Sequence, residues 1–186
     1  VAGQVPHFSG WSRFEHATLA FGYGLSVTTL QLARAYAVLA ADGIKRPVSL
    51  LKLEQSPAGE RVLSVATSRA VRAMLETVVS AEGTAMEAAI SGYRVAGKTG
   101  TAKKSIAGGY AKKKYQAVFA GMAPASKPRL VMVVMVDEPS AGEYYGGKVA
   151  APVFAKVMAG ALRLLNVAPD RMEELRVRLA DAGGAR

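Results

Sequence analysis

The sequence predicts an α+β fold in which an antiparallel sheet is flanked by helices. Three extended runs follow one another in the second half of the chain, at Tyr93 to Thr101, Tyr115 to Met122 and Leu130 to Val136. Because a parallel pair needs a crossover of about a dozen residues, the short turn before Leu130 favours antiparallel pairing. Two strongly apolar segments, 28–41 and 153–165, predict helices that pack against this sheet.

The first predicted helix covers residues 28–41, where strong helix formers and apolar side chains occur on every side. Ser26 or Thr28 can cap its N-terminus, and Asp42-Gly43 ends it. A segment that is apolar all round is typical of a buried helix, and this is our expectation here.

A short hairpin and a further helix are predicted next. The hairpin joins residues 50–53 to residues 61–65 across a Ser-Pro-Ala-Gly turn. Thr67 or Ser68 can cap a helix through about Val79, and residues 84–90 add a short helical piece. The apolar face of this helix is predicted to consist of Val71, Met74, Leu75 and Val78.

The remaining segments complete the predicted domain. Residues 102–114 are rich in Gly and Lys and predict a loop, and Ala151-Pro152 leads into the last apolar helix. We expect one domain over residues 1–168, followed by a tail, 169–186, that is either a peripheral helix or disordered. Asp170 with Glu173 is a possible capping box for that helix.

Composition limits the possible functions. The net charge is +10, and no acidic residue occurs between Glu87 and Asp137, so this span should attract anions. The chain has no cysteine, which removes disulfides and thiolate chemistry, and it has no apolar run of about 18 residues that would span a membrane. His7 and His16 lack metal-ligand spacing, and we expect neither a metal nor a cofactor.

One lysine, Lys98, fits two incompatible patterns. Residues 92–99 match the phosphate-binding loop G-x-x-x-x-G-K-T, and residues 130–138 resemble an apolar strand whose acidic end holds magnesium. That loop needs a strand before its first Gly and a helix beginning at Lys-Thr. Here a helical piece precedes Gly92 and a Gly-rich stretch follows Thr101, so the context disfavours nucleotide binding.

The alternative is that Lys98-Thr99-Gly100 is the K-T-G motif of penicillin-interacting serine enzymes. Three stretches together resemble class B penicillin-binding proteins, and in detail the division-specific septal transpeptidases of Gram-negative bacteria. The stretches are Gly22 to Ala37, with Thr29 where Pro is usual, Gly92 to Ala102, and Tyr144 to Phe154. The resemblance implies the C-terminal portion of a penicillin-binding transpeptidase or serine β-lactamase-like fold.

The resemblance also implies a function. Such enzymes cross-link peptidoglycan by attacking a D-Ala-D-Ala stem peptide with a serine, and β-lactams acylate the same serine. It implies that Lys98, Thr99 and Thr101 contact the carboxylate of the substrate or drug, that Gly100 lets the ligand approach, and that the Thr101 N–H lies in the oxyanion hole. Tyr144 and Tyr145 are expected beside the cleft, although ordinary packing would also explain them.

The nucleophile is expected to be absent from this chain. The family needs S-x-x-K followed by S-x-N, and the one S-x-x-K here, Ser49 to Lys52, occurs in the wrong order and has no S-x-N after it. We therefore expect an upstream half of the same domain to carry the serine, and an upstream membrane anchor to hold the enzyme at the periplasmic face of the inner membrane. Cell-division membrane proteins are the expected partners.

Other functions remain open from the residues alone. A D,D-carboxypeptidase or a β-lactamase would share the K-T-G motif and would differ in rapid deacylation. A basic module that binds nucleic acid or anionic lipid is the other class. The base-stacking aromatic residues of a nucleic-acid reader are not interleaved with Lys112 to Lys114, and we expect no nucleic-acid partner.

Overall fold

The fold is a three-stranded antiparallel sheet with helices packed on both faces, as the sequence predicts. It is seen in a computed structural model that describes residues 3, 4, 10–22, 24–106 and 109–171. The sheet has the order β3-β4-β5, and a separate two-stranded ribbon pairs β1 with β2. The elements are α1 (Arg13–Leu19), α2 (Thr29–Ala40), β1 (Ile44–Lys45), β2 (Glu60–Arg61), α3 (Val65–Thr77), β3 (Ala96–Ile106), β4 (Gly109–Ala123), β5 (Leu130–Asp137) and α4 (Gly146–Leu164).

Capping boxes define the first two helices. The sequence interpretation missed α1, whose N-cap Ser12 and Glu15 bond to each other's backbone N–H. The prediction of α2 is confirmed, and of its two candidate caps Thr28 is the one used, in a reciprocal box with Gln31. After α2 the chain turns through Asp42 and Gly43, both at positive φ.

The expectation that α2 is buried is wrong. None of its residues is buried, and Leu30 is 58% exposed. The helix contacts the sheet through a small cluster in which Tyr36, Leu39 and Ala40 pack against Ala96, Met122, Ala125 and Val131. No other described segment covers its outer side, so an apolar composition here does not produce burial.

The predicted hairpin is also wrong in its register. The observed ribbon pairs Ile44 with Arg61 and Lys45 with Glu60, and residues 50–53 form no strand. Leu50 and Leu51 are 97% and 80% exposed, so their apolar character reflects no packing within the described part of the chain. A two-residue ladder next to Gly43 takes the place of the longer hairpin.

Helix α3 begins earlier than predicted, and its predicted apolar face is correct for Leu75 and Val78, which pack against the core, but not for Met74. Ser64 is the N-cap, and its Oγ accepts a hydrogen bond from the N–H of Thr67, which is itself in the first turn. Met74 is 61% exposed, whereas Ser68 and Arg72 are buried. The Arg72 guanidinium donates to Leu39 O at 2.7 Å and to Asp42 at 2.8 Å, which explains how a charged side chain is buried there. The short helical piece predicted after α3 is a 3₁₀ turn, Met86–Ala88.

The predicted loop at residues 102–114 is mostly strand. β3 and β4 continue past the predicted ends as one long hairpin, paired from Ala96 opposite Met122 to Ile106 opposite Gly109, with a shift of register between Lys103 and Ser105. β3 starts at Ala96 instead of Tyr93; the N–H of Tyr93 closes a turn onto Ile90 O at 3.0 Å, and its buried hydroxyl donates to Val167 O at 2.6 Å. Pairing between neighbouring strands therefore overrides the weak strand propensity of Gly and Lys.

The main core lies between the sheet and α4. Phe119 of β4 and Phe154 of α4 are fully buried and meet edge to face, with ring centroids 4.8 Å apart. α4 begins at Gly146, earlier than the predicted 153, and Pro152 lies inside it. Asp170 accepts from the N–H of Arg94 and from Ser126. Glu173, its expected capping-box partner, and the tail from residue 172 lie outside the described residues.

Candidate active site

The candidate site lies along β3, which is an edge strand of the described sheet. Lys98 is exposed, and its ammonium donates to Thr99 O at 3.2 Å and to Thr99 Oγ1 at 3.3 Å. Thr99 Oγ1 is 3.3 Å from Thr84 Oγ1, so one ammonium and two hydroxyls form a continuous polar cluster. These groups are donors suited to a carboxylate.

An open cleft of about 380 Å³ lies next to this cluster. Besides Lys98 and Thr84, it is lined by the end of α3 and the loop after it, at Thr77, Val78, Ser80, Glu82 and Gly83. The sequence analysis did not identify Thr84 as a candidate site residue. It predicted only that a short helical piece begins at this position. Its role depends on tertiary placement, and no local pattern marks it.

Gly100 and Thr101 are the other two residues of the predicted motif. The nearest atom to a Cβ built at Gly100 is Val118 Cβ at 3.7 Å, so the glycine relieves no internal clash and leaves the strand surface open. Thr101 Oγ1 accepts a hydrogen bond of 3.0 Å from the N–H of Gly146, the first residue of α4. The Thr101 hydroxyl therefore anchors α4 to β3 and keeps its own O–H free to donate.

Two glycines allow α4 to begin this close to the sheet. A Cβ on Gly146 would come within van der Waals radii of Val118 O and 2.6 Å from Gly100 O. A Cβ on Gly147 would overlap Thr84 O and approach Thr99 Cγ2 at 3.5 Å. The start of α4 thus lies against residues 99–101 of β3 and against Thr84, which lines the cleft.

The predicted tyrosine pair belongs to a row of three rings. Tyr144 stacks on Tyr115, with centroids 4.1 Å apart and an interplanar angle of 14°, and Tyr145 follows at 4.4 Å. The Tyr144 hydroxyl donates to the Tyr145 hydroxyl at 3.1 Å, and this bond raises the pKa of Tyr144. Tyr145 is 55% exposed, so the row presents an aromatic surface. Tyr115 was placed on a strand by the sequence, but only the fold brings it to this row.

The structure contradicts the nucleotide-binding interpretation. The chain after Lys98-Thr99 continues as β3, so no helix N-terminus faces a phosphate there. Asp137 and Glu138 at the end of β5 form ion pairs of 2.8 Å with Lys104, which lowers the pKa of both carboxyls. No group of three or more potential metal ligands occurs among the described residues.

The other candidate residues are not gathered at this site. Ser49 Oγ is held in its own turn, where it donates to Leu51 O and accepts from Leu51 N. His16 packs edge to face against Trp11 at 5.4 Å, as expected for a structural histidine, and His7 lies outside the described residues. None of the helices in the described ranges is long and apolar enough to cross a bilayer.

Comparison with known proteins identifies the class to which this fold and site belong. The penicillin binding protein transpeptidase domain matches residues 1–159, and the chain belongs to that family. It is 49% identical over 171 residues to peptidoglycan D,D-transpeptidase FtsI of Escherichia coli K12, a match that covers 92% of this chain and 29% of that protein. The probable peptidoglycan D,D-transpeptidase PenA of Neisseria flavescens is 45% identical over 171 residues, which are 92% of this chain and 43% of PenA.

Solved structures agree with this assignment. The apo transpeptidase domain of penicillin-binding protein 3 from Burkholderia pseudomallei superposes with a TM-score of 0.85 and 50% sequence identity. The match covers 90% of this chain and 51% of that structure. The predicted penicillin-binding transpeptidase fold is confirmed, and the chain spans about half of such a domain and less than half of the curated relatives.

Proposed function

We propose that this chain supplies the substrate-binding strand of a serine D,D-transpeptidase, which cross-links peptidoglycan stem peptides during septal cell-wall synthesis. One observation carries the proposal: the ammonium of Lys98 and the hydroxyls of Thr99 and Thr84 converge at the open edge of β3 in a chain of this family. The relatives named as peptidoglycan D,D-transpeptidases support the same reaction.

Each residue of the motif has a role in this proposal. Lys98 and the hydroxyls of Thr99 and Thr101 bind the terminal carboxylate of a D-Ala-D-Ala peptide, or the carboxylate of a β-lactam. Gly100 leaves room for the ligand against the strand, and the Thr101 N–H donates to the oxyanion that forms on the attacked carbonyl. Tyr144 and Tyr145 contact the apolar part of the ligand beside the cleft. No cofactor or metal takes part.

The nucleophilic serine comes from an upstream segment of the same domain. Its attack releases D-Ala and leaves an acyl-enzyme, which an amine from a neighbouring strand then resolves. Two features support a missing half: β3 is an open edge of the described sheet, and apolar side chains of α2, α3 and the adjoining loop are exposed. Leu30, Leu50 and Met74 are 58%, 97% and 61% exposed. Burying such side chains is favourable by about 1.5–3 kcal/mol each.

The proposed location is the periplasmic face of the bacterial inner membrane, with an anchor in a segment outside this chain. Membrane proteins of the division machinery are the proposed partners. The names of the relatives support the enzyme class, and the location and partners rest on the family resemblance alone.

The test is acylation of the complete protein by a fluorescent penicillin. Removing one charge-assisted hydrogen bond costs about 1.5–3 kcal/mol, so Lys98→Gln should slow acylation about 10- to 150-fold. Lys156→Gln, an exposed lysine on α4, is the matched control and should label like the parent. Equal labelling of the parent and Lys98→Gln would contradict the proposal, and rapid loss of label would favour a carboxypeptidase or β-lactamase.

A further inference from the structure

Arg94 is held at three points by residues from three other parts of the chain. Its backbone N–H donates to Asp170 Oδ1 at 2.7 Å, and its backbone C=O accepts from the N–H of Ala125 at 2.8 Å. Its guanidinium donates two hydrogen bonds to the Glu76 carboxylate, from Nε at 2.9 Å and from Nη2 at 3.0 Å. Arg94 therefore joins the segment after α4, the turn between β4 and β5, and helix α3.

The two partners of this ion pair each lead directly into one side of the cleft. Glu76 precedes Thr77, where α3 ends and the cleft lining begins. Arg94 lies two residues before the start of β3 and four residues before Lys98. We call the side of the cleft that residues 77–84 form the cleft wall. The Glu76–Arg94 pair ties this wall to the strand that carries Lys98.

The cleft wall has a second tie to β3 at its other end. There Thr84 Oγ1 lies 3.3 Å from Thr99 Oγ1. Between the two ends the chain closes local turns, such as the one in which Gly83 N donates to Ser80 O at 3.0 Å, and residues 80–82 are exposed. The wall is thus connected to β3 by one charged contact before it and one hydroxyl contact at its end.

A second open space, of about 350 Å³, adjoins the cleft wall. Glu76 and Arg94 line it together with Val79, Ser80 and Ala81 of the wall. Val79 packs against the main core, but Ser80 lines both this space and the cleft. Because the wall has open space on two sides at Ser80, its distance from β3 there depends on the tied ends more than on packing.

We propose that Glu76 and Arg94 are positioning residues whose ion pair sets the width of the cleft between the cleft wall and Lys98. This inference rests on the proposed function, because the cleft must receive a ligand carboxylate. Without the pair, the wall moves away from β3 and Thr84 separates from Thr99, so the Thr99 hydroxyl loses the neighbour that orients it toward the carboxylate. Neither Glu76 nor Arg94 contacts the ligand.

The expected effect is smaller than the loss of Lys98 itself. A hydrogen bond of ordinary strength corresponds to about 2- to 12-fold, so Glu76→Gln and Arg94→Gln should each slow acylation by about that factor. The double variant should be no slower than either single variant, because both break the same contact. Arg94→Lys keeps the charge but cannot form two parallel hydrogen bonds to Glu76, so its rate should fall between those of the parent and Arg94→Gln.

The test measures acylation of the complete protein by a fluorescent penicillin and by the methyl ester of the same penicillin. The ratio of the two acylation rate constants reports how strongly the site prefers a free carboxylate. We expect the ratio to fall in Glu76→Gln and Arg94→Gln, and Lys98→Gln to give the lower limit. Glu60→Gln is the matched control, because it breaks an exposed ion pair of 3.3 Å with Lys45 on the β1–β2 ribbon and should keep the parental ratio.

Three outcomes decide the matter. If Glu76→Gln and Arg94→Gln lower the melting temperature but keep the parental ratio, the pair is structural only and the inference is wrong, while the proposed function stands. The inference is also wrong if the effects of the two single variants add in the double variant. A parent that neither reagent acylates would refute the proposed function, and the inference with it.

Discussion

The start of α4 offers the sharpest test of how the fold holds the candidate site. Gly146→Ala adds a Cβ that overlaps Val118 O and lies 2.6 Å from Gly100 O, and both atoms belong to backbone that cannot rotate away. Overpacking of this kind costs about 1–3 kcal/mol. Displacing α4 also weakens the hydrogen bond from Gly146 N to Thr101 Oγ1, for about 0.5–1.5 kcal/mol. We therefore expect the free energy of unfolding to fall by about 1.5–4.5 kcal/mol.

A second glycine on the same helix provides the matched control. No atom lies within 4 Å of a Cβ built at Gly160, so alanine there meets only open space. Because alanine is a better helix former than glycine, Gly160→Ala should stabilise the protein by about 0.5–1 kcal/mol. The same chemical change is thus predicted to have opposite signs at two positions of α4.

The measurement is the free energy of unfolding in urea, made on the complete protein, with the melting temperature as a second readout. For a domain of this size about 1 kcal/mol corresponds to about 2–4 °C, so Gly146→Ala should melt about 3–18 °C lower. Its acylation by a fluorescent penicillin should also slow, since Gly100 and Thr101 move with the helix. Parental stability of Gly146→Ala, or destabilisation by Gly160→Ala, would refute the packing argument.

Two further predictions concern buried polar groups. Tyr93→Phe removes the hydroxyl that donates to Val167 O and leaves that carbonyl unsatisfied, so unfolding should be easier by about 1–3 kcal/mol in a urea titration. Asp42→Asn keeps a residue that tolerates the positive φ and removes the charge beside Arg72, which should cost about 1–2 kcal/mol because the carboxylate is 35% exposed. Since Arg72 lowers the pKa of Asp42, this difference should be constant above about pH 5 and vanish as the pH falls through the lowered pKa. If the stability difference between the parent and Asp42→Asn grew in acid, the ion pair with Arg72 would not be its cause. An unchanged urea midpoint for Tyr93→Phe would contradict the prediction for the Tyr93 hydroxyl.

The helices show which local sequence signals are sufficient to predict a helix boundary. The α2 prediction is correct to within a residue because Thr28, Gln31 and the Asp42-Gly43 turn act within one helical turn of the boundary. The α4 prediction is late because Pro152 is typical of a first turn, whereas here it lies in the helix interior. The true start depends on two glycines in contact with β3 and β4, and such contact has no local pattern.

For the strands, local sequence composition was not sufficient to predict their extent. Residues 102–114 have a loop-like composition, yet most of them belong to β3 and β4, and residues 102, 103, 105 and 106 pair across the hairpin because each strand supplies the other's hydrogen-bond partners. The same limit explains the site: Lys98 to Thr101 and the tyrosine pair were found from motifs, whereas Thr84 and Tyr115 were not. Thr84 lies in the segment after α3, and its hydroxyl contacts that of Thr99 on β3. Tyr115 lies on β4, and its ring stacks on that of Tyr144.

By itself, the sequence determined the α+β class and the strand motif Lys98-Thr99-Gly100-Thr101, and its resemblance to known motifs indicated the family, because all three depend on residues that lie close together in the chain. Tertiary structure alone decided the exposure of α2, the extent of β3 and β4, and the ion pairs that Lys104 forms with Asp137 and Glu138. Those properties depend on residues far apart in sequence, such as Asp137 beside Lys104, and only the folded backbone brings them within a few ångströms.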